Sequence, residues 1–417
     1  MRWFFALIGL TCAIAGFLAA SYFWPGTLVM NSTPAGTAGA GAKRMAERIR
    51  EAEARSQNVR GVYMTSDVAN DGGIAATRLR NGIIGLLDAT ELDAVVIDVK
   101  ETRGGLIITD RLRELIKVLH GKGAWVIARQ VVFKDSSQER AHPEWYLKRT
   151  SGGLWRDNRG GSWLDQASPE VWAYQLAAAR AASDAEFDEI QFDYIRFPSD
   201  GDVRSIVYPV YDGRRPKYEV LREFFAYLSS ELKRHRPDLI LSADLFGYVA
   251  LQQADLGIGQ RLEDIGESFD YISLMVYPSH YYAGFQAPAD PSRNLAAIFY
   301  PYRSSSVAAV APNQPYDVVH RSLLIAADLL EGRTATTALA GSVASSSLPL
   351  ATPARSKTAK LRPWLQDFDL GVDSARGIRY DAAKVRAQID AAEAAGSAGW
   401  LLWSPDNVYT REALKPE

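Results

Sequence analysis

From Val59 onward, short apolar runs alternate with stretches of helical period, the pattern of parallel βα units. The runs that read as strands are Arg60–Thr65, Ala94–Lys100, Ala124–Gln130, Glu189–Phe197, Leu239–Phe246, Tyr271–Tyr277, Leu361–Phe368 and Gly399–Trp403. Between them, Ala75–Ala89, Asp110–His120, Pro169–Ser183, Tyr218–His235, Arg261–Ser268, Tyr316–Leu330 and Ala382–Ala395 repeat apolar residues at helical spacing. Ser168 before Pro169, and Asp381 before the last stretch, are helix-capping residues. Eight strand–helix repeats over residues 58–408 predict a (β/α)8 TIM barrel. An open doubly wound sheet fits less well, because no glycine-rich phosphate loop follows the first strand.

Upstream the pattern changes. Residues 3–24 carry no charge and follow Arg2, enough to span a bilayer as a transmembrane anchor or to act as a signal peptide. Leu18-Ala19-Ala20-Ser21 offers small residues for cleavage. Either way the rest of the chain is expected to be exported: inner-membrane anchored and facing the periplasm or exterior, or secreted after cleavage. Residues 25–42 read as a flexible linker and 43–57 as a short charged helix, with 409–417 as a tail. Residues 334–358 read as a surface loop.

Period-two alternation sorts the strand faces. Asp98 and Lys100 share a face of their run, opposite Val95, Ile97 and Val99. Ser242 and Asp244 share another, opposite Leu241, Ala243 and Leu245. In Glu189-Ile-Gln-Phe-Asp-Tyr-Ile-Arg-Phe-Pro198, Gln191, Asp193 and Ile195 face one way, and Ile190, Phe192 and Tyr194 the other. Arg129 falls near the end of the third run. In a barrel the apolar face packs on helices, so Asp98, Lys100, Arg129, Gln191, Asp193, Ser242 and Asp244 are predicted to point inward. Acids in apolar strands are costly unless paired or used. Asp367 ends the seventh run, and His280 and Tyr277 follow the sixth. Tyr63, Tyr194, Tyr248, Tyr277, Tyr281, Trp364 and Trp403 lie near strand ends and fit a cleft for sugar rings, whose faces are apolar. Trp400 faces opposite to Trp403.

Composition narrows the chemistry. A net charge of −2 gives no argument for nucleic acid. Cys12 is the only cysteine, so neither an intrachain disulfide nor a cysteine metal site can form. The five histidines are scattered, without His-x-x-x-His spacing, so no metal or other cofactor is expected, and a metal-dependent polysaccharide deacetylase is disfavoured. No Gly-x-Ser-x-Gly elbow is present.

Several blocks together carry a resemblance: Arg60-Gly-Val-Tyr-Met64, Val96-Ile-Asp-Val-Lys100, Phe187 to Pro198, Met275-Val-Tyr-Pro278, Arg362-Pro-Trp-Leu-Gln366 and Gly399-Trp-Leu-Leu-Trp403. They resemble a bacterial glycosyl hydrolase domain family over residues 58–408. The resemblance implies a barrel related to the α-amylase-like glycoside hydrolases. Those barrels carry a nucleophilic acid at the end of strand four and a proton donor at the end of strand five. Asp193 and Asp244 occupy these places, with Asp where that superfamily typically has Glu at strand five. Asp367 matches a third, transition-state-stabilising acid loosely.

The expectation is therefore an exported glycoside hydrolase acting on a polysaccharide or oligosaccharide through paired carboxylates, Asp193 and Asp244. Asp98, Lys100, Arg129, Arg196, Tyr277, His280, Asp367 and Trp403 are the expected substrate-binding residues. The alternative is a non-catalytic glycan-binding envelope protein on a degenerate barrel.

Overall fold

The computed structural model describes residues 35–251, 255–302, 310–333 and 359–417, with side chains from Gly41 onward. The apolar segment 3–24 and the loop 334–358 lie outside the described residues. Among the described residues no helix is long and apolar enough to cross a membrane. The chain divides into two compact units, residues 1–47 and 48–417, and the second holds the barrel. Helix α1, Ala35–Arg55, starts upstream of the expected Lys43, inside the stretch expected as linker.

Eight parallel strands close on themselves. They are β1 (Val59–Met64), β2 (Ala94–Lys100), β3 (Trp125–Val131), β4 (Glu189–Asp193), β5 (Ile240–Phe246), β6 (Tyr271–Met275), β7 (in two pieces, Lys360–Leu361 and Trp364–Gln366) and β8 (Gly399–Trp403). Each pairs with the next in chain order, and β8 returns to β1 with Val59 opposite Gly399. The predicted barrel is the observed one. Pro363 has no N–H to give a ladder, and β7 is interrupted there. Gly399 makes the closing seam possible. Its φ is +88°, and a Cβ there would lie 1.9 Å from the Val59 carbonyl oxygen. Gly399→Ala is expected to destabilise the barrel by more than about 1 kcal/mol, measured as a lowered denaturant midpoint.

The main outer helices are α2 (Ile74–Leu87), α3 (Asp110–Gly121), α4 (Pro169–Asp184), α5 (Lys217–His235), α6 (Leu262–Ser268), α7 (Pro315–Leu330) and α8 (Ala382–Ala394). Ser168 caps α4 by accepting from Val171 N, and Asp381 caps α8 by accepting from Lys384 N. The outward strand residues pack with these helices in one apolar layer that includes Val95, Ile97, Ile190, Phe192, Leu241, Ala243 and Trp400. A second, inner layer contains Val59, Tyr63, Val96, Trp125, Ile127, Tyr271, Trp364 and Leu401, with Trp403 against it. Trp400 and Trp403 thus belong to opposite layers, as alternation requires.

Two local departures from alternation matter. β4 stops at Asp193, because Tyr194 takes a left-handed backbone with φ +53°. The expected strand to Phe197 is therefore shortened, and Ile195 joins the outer layer instead of following Asp193 inward. In β2 the register slips after Asp98: Asp98 stands opposite Arg129, but Lys100 stands opposite Gln130. That bulge turns Lys100 away from the face of Asp98.

The floor of the barrel is ionic. Arg362 Nη1 donates to Glu189 Oε1 and Oε2 at 3.0 and 2.8 Å, with both side chains fully buried. Trp125 Nε1 adds a bond to Glu189 Oε2 at 3.0 Å, and Arg362 Nη2 donates to Ser56 O at 2.7 Å. The Arg362 guanidinium also lies over the Tyr271 ring. On the same side, Arg48 of α1 pairs with Asp238 at 2.8 Å.

Candidate active site

At the opposite end, the C-terminal ends of the strands converge on Arg129. This guanidinium is 7 % exposed and gathers three carboxylates from three strands. Nη1 donates to Asp98 Oδ1 at 2.6 Å, Nη2 donates to Asp193 Oδ2, and Nε lies 3.5 Å from Asp244 Oδ2. Each acid has a second partner. Tyr63 Oη donates to Asp98 Oδ2 at 2.5 Å, Tyr194 N to Asp193 Oδ1 at 2.6 Å, and Trp364 Nε1 to Asp244 Oδ1 at 2.8 Å. The left-handed turn at Tyr194 therefore has a local use, since it returns a backbone N–H to the preceding side chain.

Aromatic rings wall the cluster. Tyr63 and Trp403 stack at 4.0 Å with 22° between planes, and Trp364 meets Trp403 edge-on at 5.5 Å. The Arg129 guanidinium lies 5.1 Å from the Trp403 ring centre. Tyr277 is buried beside the cluster, edge-on to both His280 and Phe368.

Burial and neighbouring charge separate the groups. Asp244 is pushed well above the ordinary carboxylate range, first by burial and then by the charge of Asp193, against the opposing pull of Arg129 and Trp364. Burial also pushes Asp98 up, against Arg129 and Tyr63. Burial alone would lower Arg129, but the surrounding acids outweigh it and hold the guanidinium above its usual value. Tyr277 is raised by burial and then by Asp244 and Asp193, which keeps its phenol a donor. The pocket thus sets Asp244, raised well above the ordinary carboxylate range, beside Asp193, which accepts two N–H donors, and paired acid–base work needs such unlike surroundings.

The structure brings Asp98, Arg129, Asp193, Asp244 and Trp403 together and sets Tyr277 beside them. Other expected residues stand elsewhere. Lys100 is corrected: it is fully buried outside the cluster, 2.7 Å from Asp135, donating to Val131 O and lying over Tyr174 of α4. The β2 bulge is the reason. Asp367 is corrected as a third acid: its oxygens accept from Thr410 N at 2.8 Å and Thr410 Oγ1 at 2.7 Å, so it fastens the C-terminal segment. His280 stands one ring out, against Tyr277, Phe368 and Tyr282. Arg196 sits beyond β4 among Trp163, Tyr194 and Phe246. Gln191 and Ser242 do point inward below the cluster, Gln191 donating to Ser273 Oγ at 3.1 Å.

Two partnerships had no sequence signal. Trp364 was visible as an aromatic, but its bond to Asp244 joins residues 120 apart. Glu101 follows β2, is raised by burial and by the charge of Asp98, and is half-buried near the cluster. Among the described residues no group of His, Cys, Asp and Glu could hold a metal ion.

A parallel (β/α)8 barrel with three acids and an arginine from four successive strands gathered at its C-terminal end is the class of protein defined by this fold and site. Residues 61–409 match the family described as "Putative glycosyl hydrolase domain", and the chain belongs to that family. No curated protein matches the chain. Among solved structures, the glycoside hydrolase domain of PgaB (BpsB) from Bordetella bronchiseptica is similar with a TM-score of 0.55 and 14% identity, covering 86% of this chain and 99% of that one. A hypothetical protein from Ruminiclostridium thermocellum ATCC 27405 is 32% identical over 44% of this chain and 96% of its own, with a TM-score of 0.38. The cortex-lytic enzyme SleL of Bacillus cereus spores is 10% identical, covering 86% of this chain and 73% of that one, with a TM-score of 0.44.

Proposed function

We propose that this protein is a glycoside hydrolase that cleaves a polysaccharide or oligosaccharide with Asp193 and Asp244. The observation that carries the reading is the sharing of Arg129 by two carboxyls in unlike surroundings, with Asp244 the more buried of the pair and raised well above the ordinary carboxylate range. Asp193 is the nucleophile or base. Asp244 is the general acid that protonates the leaving oxygen. Arg129 fixes both acids and Asp98, and the stacked Tyr63–Trp403 pair offers an apolar wall to a sugar ring. Family membership supports the hydrolytic class. The uncharged segment 3–24 supports an exported barrel, anchored to the membrane or released by cleavage.

The test is product analysis after incubation with a panel of bacterial and plant polysaccharides. Release of oligosaccharides by the native chain, lost in Asp193→Asn and in Asp244→Asn, is the expected result. No release from any member of a broad panel counts against it. The pH profile gives a second check. An acid catalyst whose pKa is raised stays active to higher pH, so the alkaline limb of kcat/KM should lie above the ordinary Asp range. Asp244→Asn should lose that limb together with ~10²–10⁴-fold of the rate.

One observation favours a second reading, a glycan-binding protein on a degenerate barrel. Asp244 is only 1 % exposed. On that reading, glycan binds without product release, and Asp193→Asn leaves binding unchanged.

A further inference from the structure

Buried cations in this fold generally meet an anion or fill their donors with carbonyls. Lys100 has Asp135, Arg129 has Asp98 and Asp193, and Arg362 has Glu189. Arg80 and Arg321 lack a carboxylate, but both terminal nitrogens of each are bonded: Arg80 to Val68 O, Asp71 O and Thr77 Oγ1, and Arg321 to Ala296 O and Pro288 O. Arg196 follows neither course. Only 6 % of it is exposed, and only Nη1 is engaged, donating to Phe197 O at 3.0 Å and Ser199 Oγ at 3.1 Å. Among the described residues nothing accepts from Nε or Nη2, and no carboxylate lies within ion-pair distance.

The free Nε–Nη2 edge is the planar fork that matches a carboxylate with two parallel bonds. It is held rigidly, because the guanidinium lies 4.9 Å from the Trp163 ring centre, 5.2 Å from Tyr194 and 4.5 Å from Phe246. Its place in the fold is specific. Arg196 follows the turn that carries Asp193, and Phe246 ends β5, the strand of Asp244. Burial disfavours its charge, and the more distant carboxylates of Asp193, Asp200 and Asp157 oppose that only in part. A ligand anion would supply the missing compensation. Arg129 is not the cation available to an acidic sugar, since both its terminal nitrogens are taken by Asp98 and Asp193.

We infer that the Nε–Nη2 edge of Arg196 binds a carboxylate on the glycan, a hexuronate residue seated beside Asp193. This rests on the reading of the barrel as acting on a glycan. It adds that the substrate is acidic and that Arg196 selects it.

Binding, separated from turnover, is the test. The full chain carrying Asp193→Asn is titrated calorimetrically with tetrasaccharides of galacturonate, alginate and hyaluronan, each beside its carboxyl-reduced counterpart. At least one acidic tetrasaccharide should bind about 10-fold or more tightly than its reduced form, the worth of a charge-assisted bond. Adding Arg196→Gln should erase that difference. Should the Gln variant not fold, Arg196→Lys keeps the charge, drops the fork, and should still reduce the preference. Equal binding of acidic and reduced forms, no binding of any acidic tetrasaccharide, or a preference that survives both substitutions would overturn the inference. Turnover is scored separately on the native chain: if no product appears while Arg196-dependent binding persists, the hydrolase reading fails and the acidic-glycan inference stands.

Discussion

Asp193→Asn is expected to lower turnover of the cleaved glycan on the order of 10³-fold or more while leaving the barrel folded. Asn keeps the size of the side chain, and its one carbonyl oxygen can still accept from Arg129 or from Tyr194 N, though not from both. What it removes is the negative charge at the one acid of the cluster that accepts an N–H at each oxygen. Arg129 keeps Asp98 at 2.6 Å, so its guanidinium does not become an unpaired buried charge. The checks are initial rates on the identified glycan and unfolding midpoints of the native and variant chains. A variant with native rates and a native midpoint would show that Asp193 is only part of an ionic plug around Arg129.

The second large effect lies at the other end of the barrel and concerns stability. Arg362→Met should cost about 3–5 kcal/mol, because it leaves Glu189 buried without its counter-ion. The replacement also withdraws the donors to Ser56 O and Ala398 O. Combining it with Glu189→Leu should recover much of the loss, since an apolar pair needs no charge compensation in a dry floor. Denaturant unfolding of the two single variants and the double variant measures the coupling. If the losses simply add, the ion pair is not the source of the effect. Residual activity in the folded double variant would also separate this floor from the acids above it.

Much of this fold was legible because its determinants are local. Alternation along Ala94–Asp98 and Ile240–Asp244 placed Asp98 and Asp244 inward without any knowledge of neighbours. Ser168 and Asp381 announced their helices because a cap acts on N–H groups within three residues. The departures each have one cause, two of them local. The period of two holds only while the ladder stays in register, so the slip after Asp98 carried Lys100 to the outer layer. The left-handed residue Tyr194 ended β4 early, although Tyr is not a residue that favours positive φ. Asp367 ended a run, as expected of a catalytic acid, but the C-terminal segment returns over it and takes both its oxygens.

The sequence by itself determined the barrel, the direction in which most strand side chains point, and the set of acids at strand ends. Period and capping are short-range properties, and they suffice for these. Only the tertiary structure decided which acids share a guanidinium, that Trp364 binds Asp244, that Glu189 and Arg362 close the floor, and that Arg196 keeps an unfilled edge. Those facts join residues far apart in the chain, and burial fixes their charge states. Neither distance through space nor the loss of solvent can be read from the spacing of residues along a strand.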